Sequence, residues 1–234
     1  MKILLTFLLI GYTANSVLSQ TINYQDIFGD DWNKAMVFEK ENRSWMEPLL
    51  TKNHISYPVA ISVVFPEMVR YSALRDKMEI GLLKTLYVNL GEEYADFSIG
   101  EFQMKPSFAE MIREKAYDIP GLESDITFKS GADFDDIKEF RKSILKDLED
   151  LKSQLNYLIV FIKICDRNFN TEEKDEMLQV KFLATAYNFG FDKTETEIKN
   201  MTDKKYFNTS LIMNENYSYS DISLFWYKQF MTQR

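Results

Sequence analysis

The sequence predicts an all-α, single-domain helical fold with room for a minor β-hairpin. Three observations predict it. Apolar residues recur at three- and four-residue spacing over long stretches, strand-type alternation is scarce, and only 8 Gly and 5 Pro punctuate 234 residues. No internal repeat or low-complexity linker divides the chain, so residues 20–234 read as one domain, long enough to enclose a sizeable core.

The elements follow in order. Residues 1–19 read as a secretory signal: Lys2 supplies the positive start, residues 3–10 the apolar run, and Val17-Leu18-Ser19 a small-residue cleavage site. The expected location is therefore secreted or periplasmic. Asp30 or Asp31 caps a helix running to about Asn53, with Trp32, Ala35, Met36, Phe38, Trp45 and Leu49 as core positions and a kink at Pro48. Ser56 and Pro58 open a second, almost wholly apolar helix that continues to Ser72. A third, through Leu82, Leu83, Leu86 and Tyr87, stops near Gly91. Pro106 and Ser107 start a helix that reaches about Tyr117, and a loop spans residues 121–131, with the hairpin candidate at 125–129.

From Asp133 to about Cys165, the stripe Ile137, Phe140, Ile144, Leu145, Leu148, Leu151, Leu155 and Leu158 predicts one long helix, and an ordinary core helix rather than a coiled-coil dimer. Asn170-Thr171-Glu172-Glu173 is an N-terminal capping pattern for the next, which Gly190 can stop. A short helical piece around 193–201 and a final helix over 220–231 complete the chain.

Composition excludes several functions. One cysteine, Cys165, rules out an internal disulfide, and its apolar surroundings make it a buried, inert thiol. With His54 the only histidine, no transition-metal site or Cys-His nucleophile pair is available, and no cofactor is expected. A net charge of −8 without a Lys/Arg stripe argues against nucleic acid. The apolar run near the start is too short to span a bilayer and no other stretch reaches that length, so no stable membrane anchor is expected. Sequons at Asn42, Asn200, Asn208 and Asn216 matter only in a eukaryotic secretory pathway.

Two groups stand out chemically. Glu67 ends an otherwise apolar run, where a carboxylate needs an explanation. Two are open: an ion pair with Arg70 or Arg75, or a carboxyl of raised pKa at the floor of a cleft, as a general acid requires. Glu79 is a rival, but Asp76-Lys77-Met78-Glu79 reads as a solvated face. Gly100 marks a close backbone approach or a positive φ. Gln103, a polar amide among large apolar residues, is either a satisfied core group or a partner for a sugar hydroxyl or amide.

The pattern Gly100-x-x-Gln103-x-x-Pro106-x-x-Ala109 resembles that of the lysozyme-like lytic transglycosylases and goose-type lysozymes, with Phe102 in place of the usual Met and Phe108 in place of Thr. Residues 183–190, Leu-Ala-Thr-Ala-Tyr-Asn-Phe-Gly, resemble the same family's later Ala-Ala-Tyr-Asn-x-Gly motif. Glu67 ends an apolar helix ahead of both, as that family's catalytic Glu does. Met68 stands where Ser is usual, Pro66 precedes the Glu, and the gap to Gln103 is longer than in compact members.

The resemblance covers about residues 55–190 and implies a peptidoglycan-cleaving enzyme acting on the β-1,4 bond between N-acetylmuramic acid and N-acetylglucosamine. Glu67 would be its single acid/base. Ser98, Gly100 and Gln103 would position the sugar, and Tyr187 and Asn188 would line the cleft beside the acid. Asp96 is the candidate for a second carboxylate, which a water-using enzyme would need. The partner implied is the peptidoglycan glycan strand. Two alternatives of other kinds remain: a catalytically silent glycan-binding or structural domain, and a hydrolase of another amino-sugar polymer such as chitin.

Overall fold

A computed structural model describes residues 22–74, 80–119, 128–208 and 215–233. The signal segment, Arg75, Glu79 and residues 125–127 of the hairpin candidate lie outside the described residues. Within them the chain is all-α with one two-stranded hairpin: nine α-helices, with the strands near the C-terminus.

Helix α1, Tyr24–Lys52, starts about two turns earlier than the predicted cap at Asp30, because the Asn23 side chain accepts from the Gln25 backbone N–H. Gly29 (φ 50°, ψ −116°) kinks it, a conformation open to a residue without Cβ. The early turn buries Tyr24 and Phe28, aromatic positions outside the predicted helix. Helix α2, Tyr57–Leu74, follows prediction, with Pro58 in its first turn. All its residues from Tyr57 to Val69 are buried, so it is the central helix and needs no polar face.

Helix α3 (Ile80–Leu90) ends at Gly91, with φ of 99°. Helix α4 (Pro106–Tyr117) begins at its proline, as predicted. The predicted single helix from Asp133 is two, α5 (Ile137–Leu148) and α6 (Leu151–Phe169). Asp150 causes the break: its carboxylate accepts from the Ser153 N–H at 2.8 Å, satisfying the first turn of α6.

Asn170 closes α6 in the left-handed region (φ 48°) instead of opening the next helix, and Thr171–Glu173 form a 3-10 turn. Asp175 is the cap of α7 (Glu176–Phe189), which Gly190 ends at φ 134°. Helix α8 (Glu195–Met201) carries a Thr194–Glu197 capping box. Strands β1 (Lys205–Phe207) and β2 (Tyr217–Ser218) pair antiparallel and lead into α9 (Tyr219–Thr232). The hairpin thus lies here, and residues 128 and 129 of the predicted one are not strand.

Two helix groups form. α1, α7 and α9 pack round α2, while α4 rests on α5 and α6 and α3 rests on α5. In the first group Trp32, Phe65 and Trp226 form an aromatic centre, with Phe65 4.7 Å from Trp32 and 5.2 Å from Trp226 between ring centroids. Cys165 is fully buried in α6, and burial pushes its thiol pKa well up.

Candidate functional site

Glu67 lies just past the middle of α2, which continues to Leu74, so it does not end the helix as the sequence suggested; only 3% of it is exposed. Its Oε1 accepts from Asn188 Nδ2 and from Arg70 Nη1, both at 3.3 Å. Its Oε2 lies 3.2 Å from the same Arg70 nitrogen but has no hydrogen bond of its own. The ion pair with Arg70 is therefore present, and the pKa is raised by burial, but Glu67 lines none of the described openings and so does not stand at the floor of a cleft. Burial pushes the pKa up to about 7, against the opposing pull of Arg70, the Asn188 amide and Lys105. The Arg70 guanidinium in turn stands 4.1 Å from the ring centroid of Phe207 in β1.

The Gly100–Gln103 motif forms a tight turn. Ile99 and Met104 exchange backbone hydrogen bonds of 2.9 and 3.1 Å, closing a loop in which Gly100 has φ of 70° and Gln103 of 49°. A Cβ on Gly100 would meet Gln154 Nε2 at 1.8 Å and the Leu148 carbonyl at 2.8 Å, so both φ and space demand glycine. Gln154, fully buried at the start of α6, donates to that Leu148 carbonyl at 2.7 Å and accepts from the Phe102 N–H at 2.9 Å. It fastens the turn to the α5–α6 junction. Sequence reasoning missed Gln154; its one signal is an amide beside the apolar Leu151–Leu155–Leu158 stripe.

Gln103 is 8% exposed and its Nε2 donates to the Gly100 carbonyl at 2.8 Å. Part of its polar end thus serves the turn itself. Tyr187 fixes the turn from α7: its hydroxyl donates to the Phe102 carbonyl at 2.7 Å, and its ring packs on Phe108 and Phe161. Asn188, next in the chain, reaches the Glu67 carboxylate across 121 residues of sequence. Ser98 is half-buried on the approach to the turn.

Asp96 has other work. Its Oδ1 accepts from the Ser107 N–H at 3.1 Å, capping α4 from outside the helix, and Oδ2 pairs with Lys105 at 3.3 Å. Two further groups sequence reasoning did not name also bear on the carboxyl. Lys105 favours its ionised form, and the buried Tyr219 of α9 has its pKa raised by burial and by the Glu67 charge while donating to the Val63 carbonyl at 2.9 Å.

Two openings flank the turn. Gln103, Lys105, Phe108, Tyr187 and Asn188 line a small pocket of about 60 Å³. Lys34, Phe38, Met68, Tyr71, Ser72 and Glu101 line a cleft of about 380 Å³ between α1 and α2. Among the described residues no cluster of three or more His, Cys, Asp or Glu side chains is placed to hold a metal ion, and no helix is long and apolar enough to cross a membrane. The chain matches no family model, curated protein or solved structure with which it was compared.

Proposed function

We propose that this protein is a secreted, lysozyme-like lytic transglycosylase that cleaves peptidoglycan with Glu67 as its single acid/base. One observation carries the reading: the Tyr187–Asn188 pair ties the Gly100–Gln103 turn and the Glu67 carboxyl together, and that carboxyl has a pKa of about 7. A group half-protonated near neutral pH can donate a proton to the glycosidic oxygen and then, ionised, accept one. In the second step it draws the proton from the muramyl 6-hydroxyl as that oxygen bonds to the anomeric carbon. The product closes to a 1,6-anhydro ring, and no second carboxylate is needed. Asp96 fits that scheme, since its two oxygens are engaged by Ser107 and Lys105.

The test is to incubate purified protein with peptidoglycan sacculi and weigh the released muropeptides. Anhydro ends, lighter than reducing ends by one water, are the expected product. Glu67→Gln is expected to fold and to lose at least about a hundredfold in rate. Asp96→Asn is expected to keep at least about a tenth of the specific activity, a barrier change of no more than about 1.4 kcal/mol. Reducing ends alone, with Asp96→Asn inactive, point instead to a two-carboxylate hydrolase. Chitin oligomers run alongside test the other amino-sugar polymer.

A second reading is favoured by the near-complete burial of Glu67 and its pairing with Arg70, which suit a structural ion pair. It is a catalytically silent glycan-binding domain, and it predicts sacculus binding without release of any product.

A further inference from the structure

We infer that Phe207, on strand β1, is a positioning residue for the proposed acid: its ring fixes the Arg70 guanidinium so that one oxygen of the Glu67 carboxyl stays free to carry a proton. This rests on the acid/base reading of Glu67. The first argument is geometry. Arg70 meets the carboxyl through a single nitrogen, Nη1, which lies 3.3 Å from Oε1 and 3.2 Å from Oε2. Arg70 Nε is buried without a hydrogen-bond partner, and so is Glu67 Oε2. A guanidinium beside a carboxylate is built to form a two-pronged fork, which would give both of these atoms a partner. Here the guanidinium is engaged by its face instead: Arg70 Cζ stands 4.1 Å from the centroid of the Phe207 ring.

The second argument is how the ring is fastened. Phe207 is itself buried, and its ring meets that of Tyr219 edge-on at 5.0 Å. The Tyr219 hydroxyl donates to the Val63 carbonyl, one turn before Glu67, so the ring is anchored to the helix that carries the carboxyl. The third argument is chemistry. The groups acting on the carboxyl are Arg70 of α2, Lys105 ahead of α4, Tyr187 and Asn188 of α7 and Tyr219 of α9, with Tyr206 of β1 acting on Tyr219. Burial keeps the three tyrosines neutral, and Lys105 is exposed. Of the charged groups, Arg70 therefore exerts the strongest pull toward the ionised carboxyl. Asn188 and Arg70 both donate to Oε1, which leaves Oε2 for the proton as long as the guanidinium does not fork. A donor on each oxygen would hold the carboxyl ionised, and an ionised carboxyl cannot act as general acid.

The test titrates the Glu67 carboxyl by carbon-13 NMR, its signal identified by its absence from Glu67→Gln protein. Phe207→Leu keeps an apolar side chain without a ring face. The guanidinium is then expected to fork the carboxylate and lower its pKa by at least about one pH unit. The descending limb of the pH–rate profile on sacculi should move down with it. Phe230→Leu, which removes the ring 4.7 Å from Arg43, is expected to leave the titration unmoved. In an Arg70→Lys background Phe207→Leu is expected to leave it unmoved as well, because an ammonium cannot fork. In the wild-type chain the Arg70 side-chain protons should be shifted upfield by the ring, a readout that stands even if Phe207→Leu fails to fold. An unmoved or raised Glu67 pKa in Phe207→Leu, an equal fall in the Arg70→Lys background, or unshifted Arg70 protons overturns the inference. Muropeptides released by the wild-type chain alongside such a result leave the cleavage reading intact. A lowered pKa with no release from sacculi sinks that reading and leaves the held guanidinium standing.

Discussion

Burying a carboxyl in the apolar face of α2 works against the fold at neutral pH. Glu67 has a pKa of about 7 in the folded chain against an ordinary 4.5. Between those values the folded state holds a proton the unfolded chain has released. Stability from this group is therefore fully present below about pH 4.5 and is lost as pH rises through 7. The difference corresponds to about 3 kcal/mol when both states are ionised. Glu67→Gln removes the titration and keeps the shape. We expect it to be more stable than the wild-type chain at pH 8, by up to about 3 kcal/mol, with the gap nearly closed at pH 4.5. Urea unfolding of both proteins at the two pH values measures it. A gap independent of pH would mean that Glu67 is ionised in the fold throughout. On the proposed reading, the substitution expected to remove cleavage should thus strengthen the protein, the usual relation at a catalytic site.

At the scale of elements, the turn and the start of α6 act as one unit. Gly100→Ala forces a Cβ onto Gln154 and a positive φ onto alanine, while Gln154→Ala leaves the Phe102 N–H and Leu148 carbonyl without their partner. Each should destabilise by about 2–4 kcal/mol. The double variant should lose clearly less than the sum, because removing the Gln154 amide makes room for the new methyl. Chemical denaturation of the four proteins closes the cycle, and strict additivity would show that the two contacts are separate. The pairing also marks where sequence reasoning stops. Helix starts at Pro58 and Pro106 and stops at Gly91 and Gly190 were legible because they rest on local backbone chemistry. The α5–α6 break was not, since the apolar stripe keeps its phase from Leu148 to Leu151 and Asp150, beside Glu149, looks like any surface acid. Asn170 misled for the opposite reason: its cap-like spacing lost to a left-handed helix end. Glu67, Gln103, Tyr187 and Asn188 could be picked out as candidates, whereas Gln154 and Tyr219 acquire their roles from contacts 52 and 156 residues away in sequence.

For the whole molecule, the arrangement places the site at the seam between its two helix groups. The Ile99–Met104 turn is held from one side by Gln154 of α6 and from the other by Tyr187 of α7. Loosening either group therefore reaches the carboxyl through Asn188, and changes at the α5–α6 junction should affect the proposed cleavage as well as stability.

The single cysteine gives this architecture a built-in clock. Cys165 lies in α6, wholly screened, and its thiol is held in the unreactive protonated form. A thiol reagent can reach it only when α6 parts from its neighbours, so each labelling event records one opening of the molecule. We expect no modification of the native protein over minutes, one equivalent in denaturant, and faster labelling of Gln154→Ala than of the wild-type chain. Rapid, stoichiometric labelling of the native protein would show that α6 is not part of the stable core. With no other thiol in the sequence, the count requires no engineering: the chain carries one chronometer, placed in the fully buried part of α6.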